Sequence, residues 1–185
     1  MSTMQSCVVL LSGWAGSGKD AAAAILVEEM GFRRFAFADA LKEDVAQVSG
    51  IPLITFHTAA KDQPLEILCK TYPTAKTPRD LLLQHARVQR AHNPDTYSGM
   101  VINEIKASSV KKAVISDWRY RREHAHIYRE LYETMPLLTI RITRPGITPS
   151  HDSSEHDLDN HTVDHEIIND GTLAELRVKL RSFLL

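Results

Sequence analysis

The sequence predicts a doubly wound α/β domain, a parallel sheet covered by helices on both faces. Three observations carry that expectation. Short apolar runs of strand length alternate with helical segments along the chain. The first apolar run stops at a glycine-rich turn that opens directly into an alanine-rich segment. The 185 residues, 43% hydrophobic and 24% charged, suffice for a core without covalent or metal staples. At roughly 100–200 residues per domain, residues 1–185 are expected to form one domain.

Cys7-Val8-Val9-Leu10-Leu11 is too short for a helix and shows no helical period, so it reads as a buried strand closed by Ser12-Gly13. Lys19 to Met30 carries four consecutive alanines, the best helix formers, and Gly31 ends it. Phe32 to Ala38 alternates and holds three phenylalanines, which predicts a second strand. Asp39 to Val48 places Leu41, Val45 and Val48 on one stripe, a helix. Residues 50–77 carry a weak signal, with a short helix expected near Lys61–Lys70. Thr77-Pro78-Arg79-Asp80 is a helix start, with Thr as N-cap, Pro at the first turn and a carboxylate three residues on. Asn93-Pro94-Asp95 opens another helix, to about Ala107. Lys112 to Ser116 reads as a strand, Tyr120 to Tyr132 as a helix and Leu137 to Thr143 as a strand. Residues 145–164 are nearly devoid of apolar side chains and read as a loop. Glu166-Ile167-Ile168 is a last short strand, and Thr172-Leu173-Ala174-Glu175 is a capping box before the final helix.

Charge excludes some function classes. Lys plus Arg total 22 and Asp plus Glu 23, a net charge of −1. Such a chain has no broad field for gripping duplex nucleic acid or an anionic membrane, so neither is an expected partner. Two cysteines, Cys7 and Cys69, make neither a disulfide framework nor a zinc site, and both are expected to pack in the core. No apolar run approaches the ~18 residues of a membrane span, and Met1 to Ser6 lacks a leader pattern. The expected address is cytoplasmic.

Gly13-Trp14-Ala15-Gly16-Ser17-Gly18-Lys19-Asp20 fits G-x-x-x-x-G-K, the phosphate-binding loop. Glycines let the backbone curl so that successive N–H groups point inward and cradle phosphate oxygens. The following helix adds the positive end of its dipole, and Lys19 reaches the β- and γ-phosphates. Asp20 stands where Ser or Thr usually offers a hydroxyl to magnesium. Its carboxylate serves either that cation's shell or the helix N-terminus.

Further segments follow the other strands: Phe37-Ala38-Asp39-Ala40-Leu41-Lys42, Asp117-Trp118-Arg119 through Glu123 (D-x-R-x-x-x-E), Arg144-Pro145-Gly146, and Asn169-Asp170-Gly171. Thr77-Pro78-Arg79-Asp80-Leu81-Leu82 opens the middle helix. With Gly-Lys-Asp in the loop, this ordered set resembles the phage-type deoxynucleoside monophosphate kinases, across nearly the whole chain. Animal phosphomevalonate kinases are similar in the Gly-Lys-Asp loop and an Asp-x-Arg segment. The resemblance implies a P-loop nucleoside monophosphate kinase-like sheet with a mobile lid at about 145–164. It also implies ATP and Mg2+ as cofactors, and transfer of the ATP γ-phosphoryl group to a small nucleotide, a deoxynucleoside monophosphate. A kinase of a hydroxyl acceptor, such as hydroxymethyluracil in DNA, a phosphomevalonate kinase, and a non-catalytic nucleotide-binding module are the alternatives; a homodimer is compatible with all of them.

Ligands of open α/β sheets bind outside the carboxyl ends of the strands, where these segments fall. The nucleotide side is expected to use Gly13, Ala15, Gly16, Ser17, Gly18, Lys19, Asp20, Arg144 and Asn169, the last bringing backbone near the adenine or simply turning into a capped helix. Lys42, Arg79 and Arg119 are the candidates for the acceptor phosphate, or else cations on solvated faces. Asp117 either orients the magnesium shell, a metal role shared with Asp20, or holds Arg119. Trp118 and Tyr97 stack on a base or pack in the core. Trp14 and Asp39 complete the expected acceptor side, and Glu123 is expected to hydrogen-bond the acceptor base. Lys19, Asp117, Arg119 and Arg144 form the expected catalytic set. His151, Asp152, His156, Asp157, His161, Asp164 and His165 crowd the loop without a zinc spacing, which makes loop closure a candidate for pH sensitivity.

Overall fold

The computed structural model describes residues 5–65, 69–149 and 156–184. The chain resolves into two compact units, Met1–Ala36 with Val101–Leu185, and Phe37–Met100. Among the described residues, no helix is long and apolar enough to cross a membrane.

The first unit is built on five strands, β1 (Cys7–Ser12), β2 (Arg33–Phe35), β3 (Lys112–Ile115), β4 (Leu137–Thr143) and β5 (His165–Ile168). Their order is β2-β3-β1-β4-β5, and every neighbouring pair is parallel. Val9 of the central strand stands opposite Val114 on one side and Leu138 on the other. A parallel strand covered on both faces must be apolar throughout, and all six residues of β1 are buried. Alternation sends Cys7, Val9 and Leu11 to one face. There they pack with Ala22, Ala23, Ile25 and Leu26 of α1 (Lys19–Met30) and Leu176, Leu180 and Leu184 of α7 (Leu173–Leu184). Val8 and Leu10, equally buried, point to the other face; α6 (Arg121–Leu131) packs on β4 without joining the first cluster. Helices therefore cover both faces, the expected doubly wound α/β arrangement. Because the strands are parallel, the segments after β1, β3, β4 and β5 all leave one edge of the sheet.

The second unit is helical. It holds α2 (Phe37–Ser49), α3 (Leu53–His57), a 3-10 turn at Ala59–Asp62 and α4 (Pro78–His92). Val45, Phe56, Cys69, Ala75 and Leu81 form its core. Thr77 caps α4 as expected: its hydroxyl accepts from the Asp80 amide at 3.1 Å, and Asp80 accepts from the Thr77 amide at 3.0 Å. The hydrogen bonds from the Lys76 and Thr77 amides hold the Asp80 carboxyl below its usual range. His85, buried on α4, places Nε2 2.6 Å from Asp44 and Nδ1 2.7 Å from the Tyr72 hydroxyl. α5 (Thr96–Ser108) begins in the second unit's residues and ends in the first's.

Two expectations are corrected. The strand predicted over Phe32–Ala38 is only Arg33–Phe35, and Phe37 already begins α2. The three phenylalanines mimic strand alternation, but Phe37, Ala40 and Val45 are buried at helical spacing on good helix formers. No helix starts at Lys61: the 3-10 turn ends at Asp62, and Pro64 lacks the amide that a continuing helix would need. The rest of that prediction reaches residues 66–68, outside the described ones. The helix Leu53–His57 is five residues long, too short to leave a period in the sequence.

Leu180 is fully buried between α7 and the sheet. Leu180→Ala is expected to cost about 2–5 kcal/mol, read as a lower urea midpoint at unchanged slope.

Candidate phosphate-binding site

The residues Gly13–Gly18 link the end of β1 to the start of α1 at the carboxyl edge of the sheet. Two glycines make the path possible. Gly13 has φ +138°, and a Cβ there would collide with the Ile142 carbonyl oxygen of β4. Gly18, the N-cap of α1, has φ +105°, and a Cβ there would strike the Asn169 side chain. Asn169, buried just beyond β5, donates its side-chain amide to the Ser17 carbonyl at 2.9 Å and its backbone amide to the Thr143 carbonyl at 2.7 Å. The loop is thus bolted to the ends of β4 and β5. Lys19 Nζ bends back over it, donating to the carbonyl oxygens of Gly13 at 2.6 Å and Trp14 at 2.9 Å. The Ser17 amide donates to the Trp14 carbonyl at 3.1 Å, while its buried hydroxyl has no hydrogen-bond partner. Ala15 and Gly16 are exposed at the crest, and Asp20 is exposed in the first turn of α1.

The segment after β3 is equally well determined. The Trp118 amide donates to the Leu11 carbonyl at 3.2 Å, and the indole N–H to the Tyr120 carbonyl at 2.8 Å. Trp118 is buried, with the His124 and His161 rings 5.6 and 5.3 Å from it. Glu123, 9% exposed, accepts from the Arg119 and Tyr120 amides at 3.0 and 3.1 Å. It caps α6 and fixes the backbone that carries Arg119. Asp117 and Arg119 are partly buried beside this turn, and Arg144 is exposed after β4.

These pieces enclose a cavity of about 220 Å³, lined by Ser12, Gly13 and Trp14, by Trp118 and Arg119, by Arg141 and Thr143, and by Leu158, Asp159 and Glu166. Sequence reasoning overlooked Asp159 and Glu166. Glu166 pairs in register with Arg141 across β4 and β5 and lies 3.2 Å from its guanidinium, a relation visible only once the strand order is known. Arg141 also donates to the carbonyl oxygens of Leu158 and His161, at 2.6 and 2.8 Å.

Residues 156–164 of the expected loop are tied down. Besides the two bonds from Arg141, Asp157 accepts from the Arg121 amide at 2.7 Å, and Asp164 accepts from the Thr139 hydroxyl and amide at 2.6 and 2.8 Å. Burial works against the Asp164 charge, yet the Thr139 hydrogen bonds outweigh it and hold the carboxyl below its usual range. His151 and Asp152 lie outside the described residues. Among the described residues, no group of three His, Cys, Asp or Glu side chains is arranged to hold a metal.

The expected acceptor residues Asp39, Lys42, Arg79 and Tyr97 belong to the second unit. Lys42 Nζ lies 2.8 Å from Asp39, near the start of α2, and 3.4 Å from His57 Nδ1. Arg79 grips Asp62 with two nitrogens, at 2.5 and 3.1 Å, and both side chains are about half exposed. That hydrogen-bonded pairing lowers the Asp62 pKa and raises that of Arg79. Exposed pairs of this kind hold weakly, so a stronger anion can displace Asp62. Tyr97 is buried with an unpartnered hydroxyl, and burial pushes its phenol well above the usual range. Arg90 sits over its ring at 5.4 Å, so Tyr97 packs rather than presenting a face to solvent.

No family model matches the chain, and no curated protein matches it. Among solved structures, TT1252 from Thermus thermophilus aligns over 97% of each chain at 16% identity with a TM-score of 0.55. A gluconokinase from Sinorhizobium meliloti aligns over 99% of this chain and 93% of its own at 14% identity with a TM-score of 0.50. These are likenesses of fold alone, a parallel sheet with helices on both faces.

Burial lowers the His124 pKa, and the neighbouring His161 lowers it further; burial, Arg121 and Arg141 lower that of His161. Both rings are therefore held neutral in the folded chain, whereas the unfolded chain takes up protons from the ordinary value of 6.5. Stability is expected to fall as pH drops through that value toward the depressed folded ones. Urea midpoints at pH 7.5 and pH 5.5 check this, and His161→Asn should shrink the difference.

Proposed function

We propose that the chain is an ATP- and magnesium-dependent kinase that transfers a phosphoryl group to a deoxynucleoside 5′-monophosphate, yielding the diphosphate and ADP. The observation that carries the reading is the loop at Gly13–Lys19, curled with left-handed glycines, closed by Lys19 and running into a helix N-terminus. Such a nest suits a polyphosphate tail. The residues also suit the nucleotide and its cation: the Ser17 hydroxyl is buried without a partner beneath the loop, and the Asp20 carboxylate stands exposed beside it. Asp20 and Asp117 would hold the magnesium ion, which when bound supplies positive charge to the phosphate oxygens.

The chain's own residues position and neutralise. Amides of the loop other than that of Ser17 hold the phosphate oxygens, and Lys19 shifts from the Gly13 and Trp14 carbonyls toward the β–γ bridge. Arg119 holds the acceptor phosphate, and Arg144 is the candidate on the ATP side. An acceptor phosphate oxygen attacks the γ-phosphorus. The bond from that phosphorus to the β–γ bridging oxygen breaks, and ADP leaves with the electron pair. A phosphate monoester, with its second pKa near 6, is mostly a dianion at pH 7, so no general base is needed. Alignment and charge supply the rate. The fold of a P-loop kinase and the resemblance to phage-type deoxynucleoside monophosphate kinases support this reading.

The deciding measurement is ADP release from ATP and magnesium over a panel of acceptors. One or more deoxynucleoside monophosphates should turn over, with none on phosphomevalonate or hydroxymethylated DNA; turnover of either of the latter alone would replace the proposal. Lys19→Met is expected to lower kcat by about 10²–10³-fold, the range seen when one preorganised donor is lost. Asp117→Asn should dent activity on a monophosphate but cripple it on a hydroxyl acceptor, where the carboxylate would be needed as base.

A further inference from the structure

The cavity beside the loop has a lining that specifies more than a phosphate. Gly13 and Trp14 form its loop side, and their carbonyls hold the Lys19 amine, the group that serves the β- and γ-phosphates. The cavity therefore opens at the end of the loop where the phosphoryl group would be handed over. Its size of about 220 Å³ is below the ~300–1,000 Å³ of pockets that enclose a whole drug-sized ligand. It suits one end of a nucleotide.

The lining offers aromatic surface and spare hydrogen-bond acceptors. Trp14, partly buried, supplies indole surface, while Trp118, 1% exposed, bounds the cavity from within the core. The donors of the wall are largely committed inside the protein. The Trp118 N–H goes to the Tyr120 carbonyl; Arg141 goes to two carbonyls and Glu166. The two carboxylates, by contrast, retain capacity. Among the described residues Glu166 pairs with Arg141 and keeps a side chain 63% exposed, and Asp159 lies 2.9 Å from His156 Nδ1 with a side chain 41% exposed. An ionised carboxylate offers about four lone-pair sites and no proton. A planar ligand entering between these groups gains by bringing N–H donors and loses by bringing a carbonyl oxygen against them.

We propose that this cavity takes the base of the acceptor nucleotide, and that Asp159 and Glu166 select bases bearing an exocyclic amine over bases with a carbonyl at that position. The inference deepens the kinase reading and rests on it for the identity of the ligand. It adds Asp159 and Glu166 as specificity-determining residues, with Trp14 as the stacking surface.

The chain's two tryptophans both line this cavity, so fluorescence excited selectively at tryptophan reports from it and from the adjoining loop. The probes are dCMP and dUMP, which differ by an amine against a carbonyl at C4 and by a bare N3 against an N3–H beside it. Fluorescence titration of the full chain is expected to show dCMP binding at least about tenfold tighter than dUMP, a modest ratio for a site that pairs with a ligand N–H. Asp159→Asn and Glu166→Gln, which keep shape and supply an amide donor, should each narrow or reverse that ratio. Their far-ultraviolet circular dichroism and melting should match those of the parent chain. Equal binding of the two nucleotides, binding of neither, or an unchanged ratio in both variants would overturn the proposal. Because the titration needs no turnover, it is separate from the kinase reading: lack of phosphoryl transfer to every deoxynucleotide would sink that reading while leaving the fluorescence ratio to decide this one.

Discussion

The structure turns on a place where backbone must approach backbone with no side chain between. Gly13 lies against the Ile142 carbonyl and Gly18 against the Asn169 amide, so the loop after β1 is pressed onto the ends of β4 and β5. Any Cβ at either position would push the loop off its seat. The left-handed φ values of both residues add a second cost for anything but glycine. Asn169 converts that closeness into connection, with its side chain on the Ser17 carbonyl and its backbone on the Thr143 carbonyl. The parallel sheet matters to the site because it delivers these segments to one edge. A buried β1, its neighbours β3 and β4, and the two helix layers are what hold that edge still.

Much of this was legible in the sequence, for physical reasons. A strand buried on both faces has to be apolar at every position, so Cys7–Leu11 announced itself. The Thr77–Asp80 capping box is local chemistry, readable without any knowledge of the fold. The loop motif is likewise local, and the structure places it between the expected strand and helix. What stayed hidden depended on pairing at a distance. Arg141 and Glu166 meet only because β4 and β5 are neighbours in a particular register. Asp159 reaches the same cavity from a segment that reads as featureless polar loop. The helix that begins at Phe37 was masked by phenylalanines whose spacing imitates a strand, and the five-residue helix at Leu53–His57 is shorter than any periodicity can reveal.

The sequence also concealed how charge is used. A net charge of −1 suggests an electrically bland molecule. The structure gives several cations internal partners, Arg141 and Lys19 among them. Glu123, an expected ligand for a base, caps α6 and fixes the backbone of Arg119. Asn169, expected near a nucleotide, acts on the loop from below. In both cases a polar side chain that could have touched a ligand shapes the backbone around the site, a role its position in the sequence does not distinguish from contact.

The seating of Lys19 has a thermodynamic consequence. A lysine carries roughly 2 kcal/mol of rotamer entropy, and here the ammonium is already held by the Gly13 and Trp14 carbonyls. Much of that freedom is surrendered when the chain folds, so little is left to lose when an anion arrives. The tether that makes the loop look closed is also what readies it to bind.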